Sequence, residues 1–379
     1  MKVLVITHHR LINNFNGAVT RIRSLAEQLA HQGAQVTVWS FISPRLSPLG
    51  SQELVPRCSH YESTNQLQWL DGLSSRLGFP SYSLASSLNT FLPLPRPLKE
   101  TFDIVISESP FLWQIAKRVT GKVKVLSAHN HEATYHEGFS PRTVRLIKRN
   151  EKRAVQEADL VLCVSEEDKS IFEKLRPGKL IQTLANGFHK NSSENGGYRE
   201  SKADFKKNWG ITEPHRIALY LASESSHNQR GLEALSHLFS DPEIKSRWSL
   251  LVVGNIKLSG HLPKSIIPCG IQNQLFSFFK GSDIALNPVF SGSGSNVKLI
   301  ECLGNGLAVL TTPFGARGFN RSLKGLSIEP LGRFKTRLLS QPDWNLPDPD
   351  ELMTYEWTQI GNQLFELLDS SLQSKEKLI

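Results

Sequence analysis

Lys2–Thr7 (KVLVIT) is an apolar run of strand length, and Gln35–Ser40 (QVTVWS) is a second. Between them Ala18, Ile22, Leu25, Ala26 and Leu29 recur at the spacing of one helical face. Gly33 then supplies a residue suited to closing that helix. Strand, helix and strand this close together make a βαβ unit, and such a unit needs a parallel sheet. The alternation continues. Asp103–Glu108, Lys124–His129, Leu160–Ser165 and Ile181–Gly187 read as strands, and Val144–Ala158 as a helix rich in both charges. In the second half Arg216–Ala222, Ser249–Asn255, Asp283–Val289, Leu307–Thr312 and Leu326–Glu329 repeat the strand pattern.

Two successive blocks of this kind in 379 residues predict an α/β fold with two Rossmann-like domains. Residues 187–201 (GFHKNSSENGGYRES) are dense in Gly, Ser and Asn and read as the linker. Residues 43–100, rich in Ser, Pro and Leu, break the rhythm. Within them Trp69, Leu70, Leu73 and Leu77 fit a short amphipathic helix, either a core-packing insertion or a face turned to an acceptor or a membrane. A final helix is expected over Asp350–Leu368.

The 44 basic side chains outnumber 35 acidic ones, a net charge of +9. That balance favours anionic partners such as nucleotide diphosphates, lipid phosphates or an acidic membrane surface. No long Lys/Arg run points to nucleic acid, which is not expected as a partner. Cys58, Cys163, Cys269 and Cys302 are scattered without a C-x-x-C pair, and Cys163 and Cys302 lie in apolar runs as small core residues. The opening MKVLVITHH is too short for a secretory signal, and no segment has the roughly 20 apolar residues of a membrane span. A cytoplasmic location is expected, with peripheral contact to an anionic membrane as a further option.

Residues 287–318 (NPVFSGSGSNVKLIECLGNGLAVLTTPFGARG) hold the strongest chemical signal. A Gly/Ser loop, Ser291 to Ser295, runs into a helix expected to begin near Asn296, with Ser295 able to cap it. Gly292 and Gly294 lack the Cβ that would hold a ligand off the backbone. Unpaired amides and the positive end of a helix suit a phosphate. Lys298 and Glu301, three apart, share a helical face. A cation beside an anion hole and a carboxylate one turn on suit a nucleotide diphosphate with its ribose diol. The same segment also reads as a glycine-rich turn before a core helix.

This segment resembles the donor-nucleotide site of glycosyltransferases with two Rossmann-like domains facing across a cleft, the GT-B architecture. It is most similar to glycosyltransferase family 4, also called glycosyl transferases group 1. The elements of the likeness are Gly292-Ser293-Gly294, Glu301, Gly306 and Leu307-Ala308-Val309-Leu310. Many members carry a second Glu eight positions before the helical one. Ser293 stands there in this chain, as in branches that use G-S-G. ADLVLCVSEEDKSIFEK (158–174), Asn186-Gly187-Phe188 and Ser282-Asp283-Ile284-Ala285-Leu286 resemble further family motifs in the expected order. After the first strand of the second domain, Arg230-Gly231 matches the second of two basic positions aimed at the donor diphosphate. The first is not evident, with Glu224 or a Ser nearby.

The resemblance implies an N-terminal acceptor domain over 1–186, with the irregular insertion 43–100, and the linker 187–201. A donor-nucleotide domain over 202–349 follows, then a terminal segment 350–379 that crosses back. It implies transfer of a sugar from a nucleotide diphosphate sugar to a hydroxyl of a glycan, polysaccharide or lipid-linked acceptor, with retention. Arg230, Lys298 and the amides of Ser293, Gly294, Ser295 and Asn296 would grip the diphosphate, and Glu301 the ribose. Gly17, in a loop after the first strand, would face the donor or acceptor. His129, at the carboxyl end of its strand, would touch the sugar or the leaving phosphate. Arg230 also reads as a surface arginine at a helix start, and His129 as an ordinary loop histidine. His129, His131 and His136 with Glu132 and Glu137 have only a loose metal-ligand spacing, and no metal or other cofactor is expected. The rival readings are a nucleotide-sugar epimerase or hydrolase of the same fold, and a degenerate binding or scaffold subunit.

Overall fold

The computed structural model describes residues 1–12, 16–42, 46–64, 94–190, 200–258, 262–291, 294–340 and 343–377. The expected helix around Trp69–Leu77, Ser293 of the glycine loop and most of the linker lie outside the described residues. The chain divides into two compact units. The first is Met1–Asn186 with Gly292–Ser295 and Trp357–Ile379, and the second is Gly187–Ser291 with Asn296–Glu356.

The first unit is built on an eight-stranded sheet. Its strands are β1 (Lys2–Thr7), β2 (Gln35–Ile42), β3 (Ser51–Val55), β4 (Cys58–Thr64), β5 (Thr101–Ser107), β6 (Thr120–Ala128), β7 (Leu160–Cys163) and β8 (Ile181–Thr183). They run in the order β3-β4-β2-β1-β5-β6-β7-β8. All neighbours are parallel except the β3–β4 hairpin. Chain order therefore reverses between β1 and β5. Helix α1 (Gly17–His31) starts at Asn16, whose side chain accepts from the Val19 amide. It buries Val19, Ile22, Leu25, Ala26 and Leu29, and Gly33 follows it at φ +91°. Helices α2 (Pro141–Glu157) and α3 (Glu166–Leu175) follow β6 and β7.

The hairpin β3–β4 lies within residues 43–100, where the sequence rhythm breaks. The buried residues of β4 include Cys58, His60 and Glu62, which do not read as an apolar alternation. Their burial is made tolerable by bonds rather than by hydrophobicity. The Ser40 hydroxyl and His60 Nε2 are 2.8 Å apart, and Arg10 grips Glu62 through two bonds of 3.0 and 2.9 Å.

In the second unit six parallel strands form one sheet: β9 (Arg216–Leu221), β10 (Trp248–Val253), β11 (Ile266–Gly270), β12 (Ile284–Asn287), β13 (Val309–Thr311) and β14 (Leu326–Ile328). Their order, β11-β10-β9-β12-β13-β14, reverses between β9 and β12. Strand β11 was not evident in the sequence because Pro268 interrupts it, which an edge strand tolerates. Helix α4 (Ser226–Ser240) follows β9, and α5 (Val297–Gly304) follows β12.

This unit reaches beyond 202–349 at both ends. Phe188 donates its amide to the Tyr355 carbonyl at 3.0 Å and bridges to Glu356, so residues 187–190 and 350–356 close the unit together. The last long helix, α6 (Trp357–Glu376), begins later than expected. Residues Pro349–Leu352 form a separate turn capped by Asp348, followed by a 3-10 turn. Helix α6 belongs to the first unit, where Trp357, Ile360, Leu364 and Leu368 join Val3, Ile22, Leu25 and Val123 in one core. Gly361 lets it lie on α1, since a Cβ there would come within 2.3 Å of Gln28 Cβ.

Truncating a side chain in that seam removes buried surface and leaves a cavity. Leu368→Ala is expected to lower stability by roughly 2–5 kcal/mol, measured by denaturant unfolding with a probe in the first unit.

Candidate functional site

Open α/β sheets bind ligands beyond the carboxyl ends of the two strands where chain order reverses. In the second unit those strands are β9 and β12. After β9 the chain enters α4, capped by Ser225. After β12 it passes Pro288–Ser291 and later enters α5. The expected cap for α5 was Ser295, but Asn296 takes that place and accepts from the Lys298 amide at 3.2 Å. Asn296 also donates to Asn287 Oδ1 at 2.8 Å, and Asn287 donates to Thr311 Oγ1 at 2.9 Å. The helix start is thus tied to the ends of β12 and β13, which explains why the cap falls one residue later.

Lys298 Nζ donates to Asn228 Oδ1 on α4 at 3.1 Å. Burial draws the Lys298 pKa down to about 8, against the opposing pull of Cys302 and Glu301. Burial pushes Glu301 the other way, upward, with Lys298 opposing. Among the described residues nothing hydrogen-bonds the Glu301 carboxylate. Arg230, on α4, is exposed, and among the described residues its guanidinium has no bonded partner. Its neighbour His227 sits 3.2 Å from Ser291 Oγ, and its pKa is lowered by burial and then by Arg230. Glu224, where the first basic position of the resemblance would fall, is exposed and pairs with Lys257 at 2.6 Å.

In the first unit the reversal lies between β1 and β5. His8 and His9 follow β1, Glu108 follows β5, and His129 follows β6. His129 Nε2 lies 2.7 Å from Glu108 Oε2, and both side chains are largely buried. Burial first, and His129 second, bring His9 down to about 4, with Glu108 opposing. His8, whose ring is 4.2 Å from that of His9, is also lowered, chiefly by burial. Both are neutral at pH values near 7. Arg21, buried on α1, donates to the Leu184 and Ala185 carbonyls at 2.9 Å and to Asn186 Oδ1 at 3.0 Å. Burial lowers its pKa to about 10. Gly17 is the exposed first residue of α1.

Gly294 and Ser295 pack with the first unit. Gly294 has φ +73°, and a Cβ there would come within 2.3 Å of the His129 carbonyl oxygen. Its amide, expected to be unpaired, donates to Asp168 Oδ2 at 3.2 Å. Ser295 Oγ accepts from Asn186 Nδ2 at 2.8 Å. The amides of Ser295 and Asn296 bond to nothing among the described residues.

Local sequence did not single out Glu108, Arg21, Asn228, His227 or Asn287, and Asn186 was marked only as part of a turn motif. A signal existed for Arg21 alone: it is a charged residue next to Ile22 and four before Leu25 on a face otherwise apolar. The others acquire roles only when strand order brings distant loops together.

Beside His129 lies a buried acidic cluster. Glu151 accepts from the Glu132 and Ala133 amides at 2.6 and 3.3 Å, and faces His131 Nε2 at 3.2 Å. Glu132 faces Asn130 and His136. Burial raises Glu132 to about 7, with Asp168 adding to it, and Glu151 to about 8, with Glu132 adding to it. Among the described residues no three of the His, Cys, Asp and Glu side chains are grouped to hold a metal ion. No helix among the described residues is long and apolar enough to cross a membrane.

Residues 15–191 match the model of Glycosyltransferase Family 4. Among solved structures, HepE from Anabaena in complex with UDP and glucose is 15% identical, with a TM-score of 0.62 over 98% of this chain and 100% of its own. The α,α-trehalose 6-phosphate synthase from Burkholderia multivorans is 12% identical, with a TM-score of 0.61 over 98% and 99%. WaaG, a glycosyltransferase involved in lipopolysaccharide biosynthesis, is 16% identical, with a TM-score of 0.57 over 98% of both chains. No curated protein matches the chain by sequence. The fold expected from the resemblance is borne out: two parallel-sheet α/β units that match solved structures of GT-B architecture.

The acidic cluster carries a pH dependence. Glu132 and Glu151 hold a proton more tightly folded than unfolded. The stability this lends is present below the unfolded carboxylate pKa of about 4.3 and is lost as pH rises towards 7 to 8. Glu151→Gln, which stays neutral, is expected to flatten that decline, read as a smaller fall in melting temperature between about pH 5 and about pH 8.

Proposed function

We propose that the chain moves a sugar from a nucleotide diphosphate sugar to an acceptor hydroxyl. The observation that carries this reading is the Glu301 carboxylate. It is largely shielded from water and unbonded among the described residues, one turn from Lys298, where the β9–β12 reversal directs a ligand. A ribose diol supplies the two donors such a carboxylate lacks. Lys298, Arg230 and the Ser295 and Asn296 amides then meet the diphosphate. The Gly294 amide is already given to Asp168. HepE has been crystallised with UDP and with UDP-glucose, which supports a uridine diphosphate sugar as the donor.

In the reaction the bond from the sugar's anomeric carbon to the phosphate oxygen breaks, and its electron pair leaves with the nucleotide diphosphate. A bond forms from that carbon to the acceptor oxygen, whose proton passes to the departing diphosphate oxygen or to solvent. Charge grows on the leaving phosphate, so cations and amides aimed at it act most strongly in the transition state. These groups do the work that a divalent ion does elsewhere, so the reading includes no metal. His129, oriented by Glu108, contacts the sugar or its leaving phosphate. Family resemblance supports retention of configuration and a glycan, polysaccharide or lipid-linked acceptor.

Calorimetric titration with UDP and UDP-glucose tests the donor. Glu301→Ala is expected to weaken UDP binding at least about tenfold, or about 1.4 kcal/mol. Lys298→Ala should lower turnover as well as binding. Parent-like binding and turnover in both variants would remove the assignment. Sugar release that needs an acceptor marks a transferase, and release without one marks a hydrolase. Binding with no reaction marks a scaffold subunit.

A further inference from the structure

Helix α2 carries Arg142, Arg145, Lys148, Arg149, Lys152 and Arg153. At 3.6 residues per turn these fall within an arc of roughly 140° along a helix about 25 Å long. The opposite side is buried through Thr143, Ile147, Asn150, Glu151, Ala154 and Val155. All of the cations are exposed except Arg153, which is half-buried. Among the described residues none of them has an ion pair or a side-chain hydrogen bond, unlike Lys2, Lys117, Lys206 and Lys335 elsewhere. The nearby exposed acids in the chain are Glu137 before the helix and Glu157 at its end, and Glu157 already bonds Trp113 and Lys117. Immediately before the Ser140 cap stands Phe139, 41% exposed, and Tyr135 close by is 37% exposed.

A straight, one-sided row of unpaired cations fits a flat array of phosphate charges. Exposed rings at one end fit the boundary between headgroups and acyl chains, where aromatic side chains settle. A DNA duplex, whose bases are already stacked on one another, would use the charges and leave these rings without a purpose. We infer that the exposed face of α2, with Phe139 and Tyr135, docks the protein on a bilayer containing anionic phospholipid. This inference is independent of the sugar-transfer reading, because it concerns a surface that holds none of the donor-binding residues.

The test is flotation of the full chain with two kinds of vesicle. One is phosphatidylcholine alone, and the other has roughly one phosphatidylglycerol in three lipids. Binding is expected only to the second. The triple variant Arg145→Glu, Lys148→Glu, Arg149→Glu should reduce partitioning at least about tenfold. A matched reversal on the second unit, Lys207→Glu, Lys245→Glu, Arg247→Glu, should leave partitioning nearly intact. Phe139→Ser should remove the part of the binding that survives added salt. Equal loss in the two triple variants would reduce the effect to net charge and overturn the inference. Equal binding to both vesicles would overturn it too, as would tighter capture of a DNA duplex than of the anionic vesicles. Circular dichroism of the variants separates lost binding from lost folding.

Discussion

A half-buried carboxylate with nothing to bond is costly, and among the described residues Glu301 is in that position. Its nearest opposing charge is Lys298 on the same face of α5, yet the lysine's nitrogen is bonded to Asn228. Both groups are pulled by burial toward their neutral forms. Strand order puts them there. Because β9 and β12 are neighbours while chain order reverses between them, their following segments are where an open sheet of this kind receives a ligand. A partner bearing hydroxyl donors and negative charge would relieve both groups at once, which is the physical ground for the proposed donor site.

The first unit meets buried charge differently. Arg21 gives its two terminal nitrogens to two carbonyls and an amide oxygen at the end of β8, so it holds backbone rather than ligand. Glu108 and His129 satisfy each other. Glu132 and Glu151 favour the protonated state instead, which lets two acids share a dry space beside His129. The result is a polar region whose geometry is set mostly by bonds already made within the protein.

Most strands were legible because a strand covered on both faces must be apolar along most of its length, as β1, β7, β9 and β10 are. Strand β4 was not, because His60 and Glu62 face inward and depend on Ser40 and Arg10, residues remote in sequence. Helix α6 was placed early because Pro349–Leu352 imitates its pattern before the chain turns at Tyr355. In the site, Lys298 and Glu301 could be read because their relation is local to one helix. The cap could be read to within one residue, since Ser295 and Asn296 are both able to serve and only the Asn287 contact decides between them. Asn228, Asn287 and Asn186 could not, since an asparagine between elements has no local pattern to distinguish a brace from a turn.

Helix α6 lies after the second unit in the chain but in the core of the first. During synthesis the β1–α1 layer therefore emerges early and stays without Trp357, Ile360, Leu364 and Leu368 until the whole intervening unit has been made. That intervening unit, joined at its two ends by Phe188 and Tyr355, has every strand it needs and can mature on the ribosome by itself. The earliest segment to be translated is thus among the last to be sealed, and its apolar face is what a nascent-chain chaperone would meet in the meantime.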